Sequence, residues 1–318
     1  MLFEGSEKKL EVMVNSESHN LRAWGGDFWA RLVNLSGAQI LSKMESSHCD
    51  AYLLSESSLF VWDHHFTMIT CGRTKLVKAA LEFLKQVPQE DILSFIFERK
   101  NEYFPHHQKS DFFQDCRALN EQLNGEAYRF GQADEHHLFL YHLNKGFNPS
   151  PDDFTLEVLM YDLQSPAKET FQVAEQTAES VRDKTGVDRI FQGFKVDDHI
   201  FEPCGYSLNA LRADDYYTIH VTPQELGSYV SFETNINLGE DVLPTLNQVL
   251  EVFRPGTFDV VLFRPCSEKD VPLRLEGFCQ KSVVQESLTC GYEVLFSHFY
   301  KPAKGVQRAF PIKEIPIV

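Results

Sequence analysis

Long apolar runs are missing from this sequence of 318 residues. A membrane-spanning helix needs roughly 18 consecutive apolar residues, whereas the best runs here, such as VVLF at 260–263, have only the length of a strand. The first twelve residues, MLFEGSEKKLEV, carry charges where a signal peptide needs an apolar segment. These absences predict a soluble, cytoplasmic protein.

Positive charge is also scarce. The chain has 30 Lys and Arg residues against 46 Asp and Glu residues, which gives a formal net charge of −16 with neutral histidine. So acidic a surface repels phosphate backbones and anionic lipids. We therefore expect neither nucleic acid nor a membrane as a partner, whereas a cationic small molecule is compatible with this charge.

Familiar metal and nucleotide signatures are absent. The seven cysteines are odd in number and scattered, without a C-x-x-C pair, which favours reduced thiols and argues against a structural zinc ion. Three His-His pairs, at 64/65, 106/107 and 136/137, would point to opposite faces of a strand, so that no pair forms a chelate by itself. There is no G-x-G-x-x-G, P-loop, H-E-x-x-H or G-x-S-x-G motif. We expect no metal ion.

The first half of the chain combines strand and helix patterns. Residues 51–62 and 66–71 are rich in strand-forming residues, and 91–98 predict another strand. The segment between them predicts an amphipathic helix, because one helical face collects Leu76, Ala80, Phe83, Leu84 and Val87.

The second half repeats this order. Residues 215–222 and 228–235 predict strands, 241–253 an amphipathic helix and 258–263 a further strand. The segment 144–153, NKGFNPSPDD, has the composition of a linker and divides the chain almost in half. We therefore predict the α+β class, with two similar antiparallel sheets packed together, helices outside, and an internal duplication.

A polar interruption marks the strand-like stretch YLLSESSLFV at 52–61. Four polar residues follow one another there, Ser55, Glu56, Ser57 and Ser58. One interpretation is a solvated turn between two strands. The other is self-cleavage, in which a serine hydroxyl attacks the preceding carbonyl of Glu56 and converts the peptide bond to an ester. Loss of the Ser57 Cα proton then breaks the ester and leaves dehydroalanine, which hydrolyses to a pyruvoyl group. These residues alone leave both interpretations open.

Six strings make the sequence similar to one family. The chain resembles the eukaryotic-type S-adenosylmethionine decarboxylases over nearly its whole length. The strings occur in the order found in that family: FEGSEKKLEV at 3–12, YLLSESSLFV at 52–61, TCGRT at 70–74, FEPCGYSLN at 201–209, TIHVTP at 218–223 and SYVSFETN at 228–235.

The resemblance implies a specific protein chemistry. It implies one domain over residues 1–318, a four-layer αββα sandwich, cleaved between Glu56 and Ser57 into a β chain of residues 1–56 and an α chain of residues 57–318. Ser57 would become the pyruvoyl cofactor and form a Schiff base with S-adenosylmethionine, whose decarboxylated product is the aminopropyl donor for spermidine and spermine. Ser207 and His220 would assist processing, and Cys71 would donate the proton to the product.

The resemblance also implies substrate contacts, made by Phe3, Glu7, Leu54, Glu56, Phe201 and Gln224. The rings of Phe3 and Phe201 would sandwich the adenine. Two positions depart from the family pattern. Gln224 stands where an acidic residue usually binds both ribose hydroxyls, and its hydrogen bonds lack the assistance of a charge. Ile69 stands where many members carry a lysine, so buried carboxylates must find another cation.

Those carboxylates imply an activator site. The positions that bind putrescine in stimulated members correspond to Glu11, Asp153, Thr155, Glu157 and Glu233. Carboxylates that converge in a low dielectric raise one another's pKa, and a diamine dication relieves their repulsion. We therefore predict stimulation by putrescine. Relatives include both dimers and monomers, so the resemblance is compatible with a homodimer and leaves the oligomeric state open.

Two alternative functions are compatible with part of the pattern. The same cofactor could act on ornithine or arginine, which Gln224 leaves open and Phe3 and Phe201 argue against. A non-catalytic paralogue that activates a partner subunit would be expected to lack the processing serine and the proton donor. Ser57 and Cys71 are both present, which argues against that alternative.

Overall fold

The computed structural model describes residues 3–173, 176–224, 227–239, 241–266, 273–303, 305–306 and 309. In the first half, the described strands are β1 (Lys8–Val14), β2 (Ile40–Glu45), β3 (Cys49–Leu54), β4 (Ser57–Trp62), β5 (His65–Thr70), β6 (Ile92–Lys100), β7 (Gly125–Gly131) and β8 (His137–Leu143). The helices of this half are α1 (Gly26–Ser36), α2 (Leu76–Leu84) and α3 (Phe112–Asn120).

The second half contains a matching set. Its strands are β9 (Thr155–Leu163), β10 (Lys195–Ile200), β11 (Tyr206–Arg212), β12 (Asp215–Thr222), β13 (Tyr229–Thr234), β14 (Pro255–Pro265), β15 (Cys279–Ser287) and β16 (Tyr292–Tyr300). Its helices are α4 (Ala167–Gln172), α5 (Ala178–Thr185) and α6 (Leu243–Phe253). The predicted linker at 144–153 lies between β8 and β9 and therefore joins the two halves.

Each half forms one eight-stranded antiparallel sheet, and the two sheets share one topology. The strand order is β2-β3-β4-β5-β1-β6-β8-β7 in the first sheet and β10-β11-β12-β13-β9-β14-β16-β15 in the second. Replacing each strand by the one eight places later converts the first order into the second. The predicted α+β class with an internal duplication is therefore confirmed.

Alternation along the strands creates the four layers. In β1, Leu10, Val12 and Val14 belong to a hydrophobic core that also contains buried residues of α1, α2 and α3. The intervening residues Lys9 and Glu11 point the other way, because successive side chains of a strand lie on opposite faces. The second sheet likewise shares a core with α4, α5 and α6. The predicted αββα sandwich is confirmed.

Local sequence accounts for the predicted helices. The apolar face predicted around residue 80 is buried in α2, which ends at Leu84, while Val87 is buried just beyond the helix. Pro88 follows Val87, and a proline disfavours helical geometry for the residue before it. The amphipathic segment predicted at 241–253 is helical from Leu243, with Pro244 in the first turn, where a missing N–H costs no hydrogen bond.

The space between the sheets is hydrophobic at its two sides and polar in its middle. One inter-sheet cluster is built on residues such as Leu140, Tyr161 and Val261, and a smaller one on residues such as Phe60 and Tyr216. The polar side chains between them include several charged groups. Burial of charge is costly unless partners compensate for it, so this polar band is the first place to look for a functional site.

Two further predictions concern membranes and cysteines. Among the described residues, none of the helices combines the length and the apolar character needed to span a bilayer. All seven cysteines are free thiols, as predicted.

Candidate active site

The Glu56–Ser57 peptide lies in a tight turn. Ser55 and Glu56 connect β3 to β4, and Leu54 pairs with Ser57 across the hairpin. Ser57 has φ 126°, a backbone conformation that non-glycine residues rarely adopt and that stores strain. Its residue surface is 2% exposed, and its hydroxyl has no hydrogen-bond partner among the described residues. A buried, unpaired hydroxyl next to a strained peptide is what an intramolecular nucleophile requires.

The carbonyl of Glu56 is held by Cys71. The backbone N–H of Cys71 donates to the Glu56 oxygen at 2.9 Å, and Cys71 Sγ lies 3.5 Å from the same oxygen. Burial raises the pKa of the Cys71 thiol well above its usual value, and the carboxyl groups of Glu56 and Glu7 raise it further. The thiol is therefore protonated and can donate.

His220 and Ser207 face each other on neighbouring strands. They are paired in the β11–β12 register, and Ser207 Oγ lies 2.8 Å from His220 Nδ1. Burial lowers the pKa of His220 to about 3, so the imidazole is neutral at physiological pH and can accept a proton. Ser58 follows Ser57 directly and brings its hydroxyl to 3.1 Å from His220 Nε2. The pair predicted to assist processing therefore lies beside the cleavage strand.

Three residues that sequence reasoning missed complete this environment. Ser58, Asn209 and Thr218 are all buried, and each hydrogen-bonds to another of the three. A signal was available in the sequence: Asn209 lies two residues after Ser207 and Thr218 two residues before His220. A period of two places such residues on the same face of a strand.

Phe3, Gly72, Glu56 and Gln224 meet at the end of the polar band. The backbone N–H of Phe3 donates to Gln224 Oε1 at 3.1 Å. Gly72 has φ +66°, and a Cβ at this position would lie 3.0 Å from the Phe3 ring and 2.6 Å from Glu56 Oε2. Glycine is therefore required where the backbone approaches both side chains.

The remaining predicted contact residues are Phe201, Glu7 and Leu54. Phe201 donates its backbone N–H to the Gly205 carbonyl, and Gly205 in turn approaches the carbonyl oxygen of Val221 near the end of β12, which leads to Gln224. Glu7 accepts a hydrogen bond from Ser231 Oγ at 2.6 Å, and burial raises its pKa to about 8. The Leu54 side chain, by contrast, is fully buried in the helix-side core. It therefore does not line the space between the sheets.

The predicted activator residues surround a cation of the chain itself. Lys9 Nζ lies 2.7 Å from Glu157, 3.3 Å from Glu233 and 4.0 Å from Glu11. Lys9 also pairs directly with Ile69 in the β1–β5 register. The cation expected from the departure at Ile69 is thus supplied by the facing residue of the adjacent strand.

Burial and mutual repulsion raise the pKa values of carboxyl groups in this acidic cluster. Burial raises the pKa of Glu11 and of Glu233 to about 7, against the opposing effect of the Lys9 ammonium. Glu98, which sequence reasoning missed, lies 3.8 Å from Lys9, and burial together with Glu157 raises its pKa well above the usual value. Asp153 accepts a hydrogen bond from Tyr292 at 2.5 Å. Thr155 is the first residue of β9 and lies two positions before Glu157.

Comparisons with known proteins bear directly on this arrangement. The family model described as adenosylmethionine decarboxylase matches residues 1–300. The chain belongs to the adenosylmethionine decarboxylase family. It is 32% identical to the S-adenosylmethionine decarboxylase proenzyme of Dictyostelium discoideum, over 96% of this chain and 87% of that protein. The proenzyme of Xenopus laevis is 34% identical, over 87% of this chain and 89% of the relative.

A solved structure supports the same family assignment. The fold is similar to the crystal structure of the Trypanosoma brucei AdoMetDC-delta26 monomer, with a TM-score of 0.61 and 26% sequence identity. The match covers 77% of this chain and 99% of the neighbour. The predicted resemblance to S-adenosylmethionine decarboxylases is therefore confirmed, and with it the α+β sandwich.

A further group of polar side chains surrounds the carboxylate of Asp259. His136 Nδ1 and His298 Nδ1 lie 3.2 Å and 2.7 Å from the carboxylate of Asp259, and Lys100 Nζ lies 2.9 Å from it. Burial raises the pKa of Asp259, but the Lys100 ammonium and the two imidazoles outweigh it and hold the pKa well below its usual range. His136 and Lys100 belong to the first half of the chain. We interpret the group as an ion-paired link between the sheets, since the ammonium already neutralises the carboxylate.

Proposed function

We propose that the chain cleaves itself between Glu56 and Ser57 and then decarboxylates S-adenosylmethionine, supplying the aminopropyl donor for spermidine and spermine synthesis. Membership in the family and the names of the relatives support this proposal. The observation that carries it is the buried Ser57 hydroxyl, which has no hydrogen-bond partner in the described part of the chain. It belongs to a strained backbone whose preceding carbonyl is held by Cys71.

The first processing step is an exchange of a peptide for an ester. Ser57 Oγ attacks the carbonyl carbon of Glu56, the C–N bond breaks, and the Ser57 nitrogen leaves as an amine. Negative charge develops on the Glu56 oxygen, which already accepts the Cys71 N–H at 2.9 Å. A donor placed at such an oxygen is worth about 3–4 kcal/mol of barrier lowering.

The second step is an elimination. His220, which is neutral because burial lowers its pKa to about 3, is the base that takes the Ser57 Cα proton. The bond from Cβ to Oγ then breaks, and the carboxylate of Glu56 becomes the end of fragment 1–56. Residue 57 is left as dehydroalanine, which takes up water and releases ammonia to give the pyruvoyl group. That group supplies an electron sink for decarboxylation.

The side chains around Ser57 fit the chemistry that follows. Cys71 holds its proton next to residue 57 and is proposed to deliver it to the product carbon. Phe3 and Phe201 are proposed to hold the adenine, with Gln224 at the ribose. Phe3 is fixed by Gln224 and by the close approach of Gly72. Glu7 is proposed to contact substrate in its protonated form, because its pKa is about 8.

Putrescine is proposed to act at the acidic cluster around Lys9. Among the described residues, five carboxyl groups lie around the Lys9 ammonium group: Glu11, Glu98, Asp153, Glu157 and Glu233. Because the pKa of Glu11 and of Glu233 is about 7, added positive charge would favour their ionised forms. Stimulation by putrescine stays a prediction, as does the cytoplasmic location.

Intact mass spectrometry of freshly purified protein tests the proposal. We expect two fragments, one of roughly 6.4 kDa for residues 1–56, and a larger one lighter by one ammonia than a chain that starts with serine. A Ser57→Ala variant is the control and should stay intact. Release of carbon dioxide should be fastest with S-adenosylmethionine when ornithine and arginine are assayed in parallel. An uncut but active wild-type protein would overturn the proposal.

A further inference from the structure

The imidazole of His220 lies in a closed network of buried hydrogen bonds. Its Nε2 atom lies 2.9 Å from Thr218 Oγ1 and 3.1 Å from Ser58 Oγ, while Nδ1 lies 2.8 Å from Ser207 Oγ. Asn209, on the same strand as Ser207, contacts the hydroxyl groups of both Ser58 and Thr218. A neutral imidazole carries one proton, and which nitrogen holds it decides where the base acts.

The protons of the two hydroxyls are already committed elsewhere. Ser58 Oγ donates to Asn209 Oδ1 at 2.5 Å, at the short limit for O–H···O hydrogen bonds and below the usual range for N–H···O. Thr218 Oγ1 is 2.9 Å from Asn209 Oδ1 and 3.0 Å from the Leu208 carbonyl, both of which are acceptors. A hydroxyl has only one proton. With the Ser58 proton on the Asn209 Oδ1 side and the Thr218 proton on the Leu208 carbonyl, neither hydroxyl has a proton left for Nε2.

We infer that Asn209, through Ser58 and Thr218, fixes His220 as the tautomer with its proton on Nε2 and its lone pair on Nδ1. Nε2–H then donates to the two hydroxyl oxygens, and Nδ1 accepts from Ser207. The inference rests on the proposed self-cleavage and names the nitrogen that serves as base. Asn209, Ser58 and Thr218 are positioning residues in this scheme, because they act through the imidazole.

This arrangement explains how a buried imidazole can take up a proton without a carboxylate partner. When Nδ1 receives the Ser57 Cα proton, directly or through the Ser207 hydroxyl, its new N–H donates to Ser207 Oγ. Nε2–H keeps its hydroxyl acceptors. Both ends of the cation are then hydrogen-bonded, which offsets part of the cost of burying its charge.

Nitrogen-15 NMR of histidine-labelled protein tests the tautomer directly. The Ser57→Ala proenzyme keeps the site uncleaved, and the His220 signals are assigned by their loss in a further His220→Gln variant. We expect a protonated Nε2 and an unprotonated Nδ1. A proton on Nδ1 would overturn the inference. This measurement does not depend on cleavage. The tautomer inference can therefore fail while the proposed function stands, and the proposed function can fail while the tautomer is as inferred.

Variants of Asn209 test what fixes the tautomer. Asn209→Leu frees the hydroxyl proton of Ser58 to donate to Nε2, while Thr218 keeps the Leu208 carbonyl as its acceptor. We therefore expect the tautomer to switch and cleavage to slow by about 100-fold or more. The ester should accumulate and be cleaved by hydroxylamine at residue 57. Asn209→Asp keeps an acceptor oxygen and should lose much less cleavage. A folded Asn209→Leu protein that retains the Nε2 proton and cleaves at the wild-type rate would refute the role of Asn209.

Discussion

Removing the charge of Lys9 should destabilise the protein strongly and in a pH-dependent manner. The Lys9 side chain is 6% exposed and lies within 4.0 Å of Glu11, Glu98, Glu157 and Glu233. Lys9→Met keeps the length of the side chain and removes the ammonium group. Removal of one partner of a buried ion pair costs about 3–5 kcal/mol, because the remaining charge is left uncompensated.

The corresponding change in melting temperature can be worked out from the chain length. An unfolding entropy of about 2.1 cal/mol/K per residue amounts to roughly 0.7 kcal/mol/K for this chain, so the expected fall in Tm is roughly 4–7 °C. Lys43→Met is the matched control. Lys43 pairs with Asp50 and Glu45, but its own side chain is 39% exposed, and the buried Asp50 keeps Arg22 as a second partner. We therefore expect a loss of about 0–1 kcal/mol.

The pH dependence follows from the raised pKa of Glu11 and Glu233, both about 7 in the folded protein. A carboxyl group whose pKa is higher in the folded than in the unfolded state favours folding at low pH, and this contribution is lost as the pH rises through the folded value. Without Lys9, which lowers both pKa values, the cluster binds protons more tightly. The loss of stability should therefore be large at about pH 8 and smaller at about pH 6.

Differential scanning calorimetry of wild type, Lys9→Met, Lys9→Arg and Lys43→Met at both pH values checks this reasoning. Lys9→Arg keeps the charge and should lose less stability than Lys9→Met. Putrescine at about 100 times its Kd should stabilise Lys9→Met by about 2.7 kcal/mol and so restore part of its Tm. A Lys9→Met protein as stable as wild type at about pH 8 would refute the assignment of Lys9 as the compensating cation.

Three further predictions concern the residues around Ser57. Cys71→Ala keeps the backbone N–H that holds the Glu56 carbonyl, so gel electrophoresis should still show the two fragments. Carbon dioxide release should fall by about 100-fold or more. Equal loss of both activities would contradict the assigned roles. Gln224→Met removes the acceptor for the Phe3 N–H and should raise KM for S-adenosylmethionine roughly threefold to tenfold, whereas Gln224→Glu keeps an acceptor and should not. Burial holds the pKa of His220 at about 3, far below its unfolded value. The neutral imidazole therefore favours folding above about pH 6.5. As the pH falls, this contribution to the free energy of unfolding declines, by roughly 2 kcal/mol at about pH 5. Urea titrations of the Ser57→Ala and the Ser57→Ala, His220→Gln proteins should differ in that acid sensitivity, and parallel pH profiles would count against it.

Much of the architecture could be predicted from the sequence, because strand and helix periodicities are local properties. The strand pattern at 215–222 predicted β12, and the apolar spacing after residue 76 predicted α2. The strings around Ser57, Cys71 and His220 identified the family, since each keeps residues that the chemistry requires in sequence. These patterns also determined which face of each strand is polar.

Only the tertiary structure decided which polar faces meet. Lys9 compensates for the departure at Ile69 because β1 pairs with β5, and nothing in the spacing between residues 9 and 69 specifies that pairing. Ser58 and Asn209 are likewise far apart in the chain and belong to different sheets, yet they share one hydrogen bond. Periodicity fixes the direction of a side chain within its own strand, whereas its partners depend on register and sheet packing between distant segments. The identity of the groups around His220 and of the cation in the acidic cluster could therefore come only from the folded protein.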